Sequence, residues 1–250
     1  MTMNVKNIWT ITPVLTGRFG MVRDDIKFEG GNPEIQDYVP SVLFLLESED
    51  AQVIVDTGFG DPQKCAESMS LLVEREEDYE EILHRHGICA EKVRHVILTH
   101  LHWDHAANAH CFPNAFFYCQ RAEWERAMNH PEEYPWEWLA FLRNHPEKVR
   151  LTEKESMCEI VPGIEVQYTG GHTYGSQMVW VHTANGKSVV TGDAVMTMRN
   201  VEEEIPVGLC VNAMECRNVL EIIKQAGASK IYPSHDFSVF VECDKQQEEE

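Results

Sequence analysis

Apolar residues fall along the chain in short runs of strand length, and several of those runs end on a histidine or an aspartate. "NIWTITPVLTG", "SVLFLLES" (41–48) and "AQVIVDTG" (51–58) open the series, and the "EDA" between the second and third is the size of a tight hairpin connection. "MSLLVEREEDYEEILHRHG" (69–87) then sets Leu72, Tyr79, Ile82 and Leu83 amid charge and closes on Gly87, which predicts one amphipathic helix with a C-terminal glycine cap. "VRHVILTH" and "AFFYCQ" read as strands, whereas "RAEWERAMNH" and "EEYPWEWLAFLRNH" read as helices bordered by proline. The second half adds the strands "GIEVQYTGGH", "QMVWVHT", "KSVVTGD" and "KIYPSHD" around one long helix at 212–227. No linker divides the halves, so one domain is expected over 1–244, followed by a solvated acidic tail at 245–250.

Strands that end in ligand-type residues, mixed with helices in both halves, predict two packed sheets with helices outside and a site along one rim. The densest candidate is "VILTHLHWDHAAN" (96–108), where His100, His102, Asp104 and His105 fall within six residues. No packing rule asks for that density. His100 and His102, two apart, point the same way on an extended chain; Asp104 and His105 need the chain to curl back, and such a hook suits two adjacent cations. Imidazole and carboxylate donors fit zinc, iron, manganese or cobalt, and a cluster without thiolates points to an open catalytic site rather than a closed structural one. His84, His86, His95, His110, His130, His145 and His182 lie outside the pattern and are expected at the surface or at caps.

Charge narrows the partners. With 41 acidic against 21 basic side chains the net charge is −20, which argues against nucleic acid. No apolar run approaches the roughly 18 residues that span a bilayer, and the N-terminal stretch lacks a basic segment leading into an apolar one, so no membrane partner and a cytoplasmic location are expected. Eight cysteines without a C-x-x-C pair are expected to be reduced thiols with no ligand role.

H-x-H-x-D-H at 100–105, His172 in "TGGHTYG", Asp193 in "TGDA" and His235 in "YPSHDF" together resemble the seven-ligand set of the metallo-β-lactamase superfamily. Asp56 of "VIVDTG" matches that superfamily's buried aspartate near the site, and the resemblance runs from about residue 40 to 237. Within the superfamily, the "YVPSVLFLLES" to "VIVDTG" opening and the "PSHDF" ending resemble the N-acyl homoserine lactonase branch. The resemblance implies an αββα sandwich of the α/β class. It also implies two divalent metal ions, zinc foremost with iron, manganese or cobalt as alternatives. His100, His102 and His172 would hold one ion, Asp104, His105 and His235 the other, and Asp193 would bridge them. The implied activity is hydrolysis of a small carbonyl substrate, a lactone first, by a metal-bridging hydroxide, with Asp104 also moving protons. A thioester, a β-lactam or a cyclic amide is the alternative substrate, a non-catalytic metal-stabilised binding protein is a weaker one, and a homodimer is compatible with the chain.

Rival branches fit less well. Glyoxalase-II-like thioesterases carry a helical C-terminal domain for which the 15 residues after His235 leave no room, and diiron oxygen reductases usually have Glu at the position of His102. The chain departs from the homoserine lactonases at two places: Met196 stands where they typically carry a substrate-binding tyrosine, and Tyr174 replaces the proline of H-T-P-G. Tyr174 is therefore a candidate donor of the missing hydroxyl. Trp136, Trp138 and Phe141 are candidates to line an acyl pocket, and Arg199 to edge its entrance.

Overall fold

Side chains of the first long strands alternate between two buried faces, and that alternation builds the layers. Thr10–Arg23 (β1) and Gln36–Glu47 (β2) pair antiparallel, with Val14 opposite Leu43. The computed structural model describes residues 8–241, without the side chain of Trp136, so Cys243 and the tail at 245–250 lie outside the described residues. Along β2, Val42, Phe44 and Leu46 face one core while Leu43 and Leu45 face another. The strand is thus apolar on both sides and must be covered on both.

Gln52–Val55 (β3) returns antiparallel to β2 with Leu45 opposite Ile54, so the expected hairpin forms. With Leu72–Glu74 (β4), His95–Ile97 (β5), Phe116–Gln120 (β6) and Val149–Thr152 (β7) it completes a seven-stranded sheet in the order β4-β1-β2-β3-β5-β6-β7. Cys158–Val161 (β8), Ile164–Tyr168 (β9), Gln177–Thr183 (β10), Gly186–Gly192 (β11) and Ile231–Pro233 (β12) form the second sheet, ordered β12-β11-β10-β9-β8.

The helical segments are Asp24–Lys27 (α1), Pro62–Met69 (α2), Tyr79–Arg85 (α3), Trp103–Ala106 (α4), Arg121–Asn129 (α5), Trp136–Asn144 (α6), Met198–Glu202 (α7) and Ala213–Ala226 (α8). Phe44, Leu46, Val55 and Ile97 of the first sheet meet Val166, Val179, Val181 and Val190 of the second. Outside the first sheet, Ile82, Leu83, Leu139 and Leu142 from α3 and α6 cover Leu43, Leu45 and Phe117. Outside the second, Val219 and Ile223 of α8 cover Trp180 and Val189. Each fully buried side chain of this kind contributes about 1.5–3 kcal/mol, and together they fix the αββα order expected from the sequence.

The single helix expected over 69–87 does not form. Asp61 caps α2 by accepting a hydrogen bond from the Lys64 amide at 2.9 Å, Pro62 follows at the first turn, and the helix ends at Ser70 in a left-handed conformation. Leu72–Glu74 then joins the edge of the first sheet against Arg18–Gly20, and helix resumes only at Tyr79. The spacing from Leu72 to Tyr79 mimics a helical period, but Leu72 is largely exposed on an edge strand. Gly87 does follow that second helix with a positive φ, as expected of it. Among the described residues, no helix is long and apolar enough to cross a membrane, and the seven described cysteines are free.

Candidate metal centre

Every candidate ligand sits just past the end of a strand or on the turn that follows it. β5 leads into Thr99 and His100, His102 precedes α4, and Asp104 and His105 lie on α4. His172 follows β9, Asp193 follows β11 and His235 follows β12. Gly192 adopts φ +53°, and a Cβ there would lie 2.6 Å from Thr99 Cβ, so only glycine lets β11 deliver Asp193 beside the His100 loop.

The seven side chains converge. Nitrogen and oxygen atoms of His100, His102 and His172 lie within 4.8 Å of one another, as do those of His100, His105 and Asp193, and those of Asp104, His105 and His235. Asp193 faces both ways. Its Oδ2 is 3.3 Å from His172 Nε2 and 4.0 Å from His100 Nε2, while its Oδ1 is 3.1 Å from His105 Nε2 and 3.0 Å from His235 Nε2. Asp104 Oδ2 completes the second group at 3.5 Å from His105 Nε2 and 3.4 Å from His235 Nε2.

The residues behind this cluster orient it. Asp56 accepts from Thr99 N, Thr99 Oγ1 and His105 Nδ1, each at 2.7 Å. His172 Nδ1 donates to Leu209 O at 2.7 Å and His235 Nδ1 to Pro40 O at 2.8 Å. Each of these three imidazoles is thereby left with Nε2 as a lone-pair donor toward the centre, the arrangement that metal-binding histidines adopt. Burial, reinforced by neighbouring imidazoles, pushes His100 and His102 well below the usual histidine range, so both are neutral at pH 7. Burial also opposes a charged His105, yet Asp193, Asp104 and Asp56 together raise it well above that range. Asp193 is held well below the carboxylate range, against its own burial, by His235, His105 and His172.

These residues fit divalent cations. The Nε2 atoms of His100 and His105 are buried and have no hydrogen-bond partner, which is costly for a polar atom unless something else meets its lone pair. Asp193, Asp104 and Asp56 favour positive charge at His105, and a cation at Nε2 would take the place of a proton there.

A pocket of about 280 Å³ opens onto the cluster. His102, Asp104, His172, Asp193 and His235 form its floor, and Phe19, Trp103, Met196, Met21, Met69 and Leu209 belong to its apolar wall. Lys27 is the one polar wall residue outside the ligand cluster. Its ammonium is buried, 3.4 Å from Asp24 Oδ1 and 3.2 Å from Asp37 Oδ2.

Several expected participants lie elsewhere. Tyr174 does not line the pocket: its ring stacks over the Arg126 guanidinium at 4.3 Å and is 43% exposed. The next amide, Gly175 N, is tied inward to Glu123 Oε2. Trp138 packs behind the pocket with Phe59 and Trp103, and Phe141 packs on Phe117 in the outer core, so neither forms the pocket wall. Arg199 stacks on Phe28 and pairs with Asp24 and Glu203. His130 and His145 sit at the surface beside acidic neighbours, and His95 meets the Tyr118 hydroxyl.

Glu123 escaped the sequence reading. Fully buried on α5, it accepts from Leu101 N at 3.0 Å and Tyr134 Oη at 3.1 Å through Oε1, and from Gly175 N at 3.0 Å through Oε2. The available signal was its place one helical turn before Ala127, on the inward face.

A model of the metallo-beta-lactamase superfamily matches residues 37–235. The N-acyl homoserine lactonase AiiA of Bacillus thuringiensis subsp. kurstaki is 32% identical over 181 residues, covering 67% of this chain and 69% of that protein. The N-acyl homoserine lactonase of Bacillus cereus is 35% identical with the same coverage. In three dimensions, an N-acyl homoserine lactone hydrolase with its product N-hexanoyl-L-homoserine bound at the catalytic metal centre superposes with a TM-score of 0.77 at 27% identity, covering 94% of this chain and 95% of that one. The chain belongs to the metallo-beta-lactamase superfamily. It is an enzyme of that superfamily, a metal-dependent hydrolase.

Proposed function

We propose that the enzyme opens lactones, ester-type rings, at a two-metal centre held by His100, His102 and His172 on one side, by Asp104, His105 and His235 on the other, and by Asp193 between. The observation that carries the reading is the split of Asp193, whose Oδ2 faces the first group and Oδ1 the second. Zinc suits so imidazole-rich a set. Two such cations would lower the pKa of bound water toward neutrality and stabilise negative charge developing on a carbonyl oxygen.

The chain's own residues do the rest. Asp104, on the pocket floor, is placed to take the proton released by the attacking water and hand it to the oxygen that leaves as the ring opens. Phe19, Trp103 and Met196 exclude water and receive the apolar part of the substrate. Met196 has no hydrogen-bond donor, and Lys27 of the pocket wall would supply one in its stead: its ammonium donates to Asp37 and pairs with Asp24, and carries three protons. The pocket volume suits a small ring with a short arm, and a longer acyl chain would leave over the exposed Met21 and Met69.

Curated relatives named as lactonases and a related hydrolase holding an opened homoserine lactone at its metal centre support an ester-type ring as the substrate. The test is a hydrolysis panel of lactones, thioesters, β-lactams and cyclic amides on metal-loaded protein. Lactones are expected to turn over fastest; turnover confined to amides or β-lactams would overturn the reading.

A further inference from the structure

Glu123 is a charged side chain with no solvent contact, distant in sequence from both loops it holds. Leu101 N lies between His100 and His102, and Gly175 N lies three residues after His172. One carboxylate therefore accepts from the two chain segments that carry the three-histidine half of the centre, one oxygen to each. Nothing comparable links it to Asp104, His105 or His235. The fit is close: a Cβ on Gly175 would lie 2.3 Å from Glu123 N, so the His172 loop is pressed directly against the start of α5.

We infer that Glu123 is a positioning residue that clamps the His100–His102 loop to the His172 loop and so sets the metal affinity of the three-histidine half alone. The inference rests on the two-metal reading given above. In a Glu123→Gln variant the side chain keeps one accepting oxygen but turns an amide N–H₂ toward one of the two backbone amides, donor against donor, and that loop loses its anchor. Residues that orient metal ligands from behind typically contribute about 10–100-fold in affinity.

The experiment is titration of metal-free protein with Zn2+ against a chromophoric chelator, resolving the two binding steps. Wild type is expected to take two equivalents; Glu123→Gln should keep one at wild-type affinity and weaken the other roughly 10–100-fold. Gly175→Ala, whose methyl would press on Glu123 N and Cβ and so part the His172 loop from α5 while keeping the Glu123 side chain chemically intact, should weaken one equivalent in the same way, and stands in if Glu123→Gln does not fold. Two unchanged equivalents in either folded variant, or equal weakening of both, would overturn the role of Glu123 while leaving the two-metal reading standing. A wild type that binds fewer than two equivalents would overturn that reading and this inference with it.

Discussion

Asp193 turns one oxygen to each group of imidazoles, so on the proposed two-metal reading both halves of the centre would depend on it. Replacing it with asparagine leaves one oxygen and an amide, so Asp193→Asn should lower turnover on a lactone by roughly two to three orders of magnitude, the scale for removing one group aimed at reacting charge. Stopped-flow or pH-stat rates at saturating metal check this; near-normal turnover would refute the bridging role. Lys27 and Asp24 form a buried pair, and without Lys27 the Asp24 carboxylate keeps only the half-exposed Arg199, so Lys27→Met should destabilise the fold by about 1–3 kcal/mol. Adding Asp24→Asn should recover much of that loss in urea unfolding, whereas equal stability of single and double variants would deny the pair its role. The seven convergent residues were legible because ligand chemistry is written in residue types at strand ends. Lys27 was not: nothing in "VRDDIKF" marks it as lining a pocket, since only the α1 turn and two neighbouring carboxylates bury it. Tyr174 misled for the converse reason, as its type offered a hydroxyl and its ring stacks over Arg126 instead.

At the level of elements, apolar runs of strand length identified the sheets because β2 and its partners are buried on both faces and tolerate little else. That signal fails where an element is short and charged. β4 has three residues, and its flanking "EREED" reads as helix surface although it blunts a sheet edge. The helix start at Asp61 and Pro62 was legible in principle, and its cap is testable: Asp61→Ala should cost about 1 kcal/mol, read as a shifted urea midpoint with unchanged slope. A core truncation gives the contrast in scale. Phe44→Ala, between the sheets, should cost about 3–5 kcal/mol.

The whole molecule carries a net charge of −20, and Asp56, Asp104 and Asp193 stand buried among the imidazoles, where cations would offset them. Removing metal with a chelator should therefore abolish hydrolysis and lower the melting temperature, both restored by added Zn2+. At a free metal concentration 100 times Kd, one site contributes about 2.7 kcal/mol. An unchanged melting temperature on metal removal would break the link between centre and fold.

The two sheets also divide the chain cleanly: β1–β7 end at Thr152, and β8–β12 begin at Cys158. His100, His102, Asp104 and His105 belong to the first portion, and His172, Asp193 and His235 to the second. Because Asp193 and His172 must meet His100 across the sandwich, neither portion alone owns a complete half-centre. Cut within 153–157, the protein becomes a pair of inert fragments whose chemistry is a report of reunion. Hydrolysis restored on mixing, and absent from each piece, would make the enzyme its own assembly sensor.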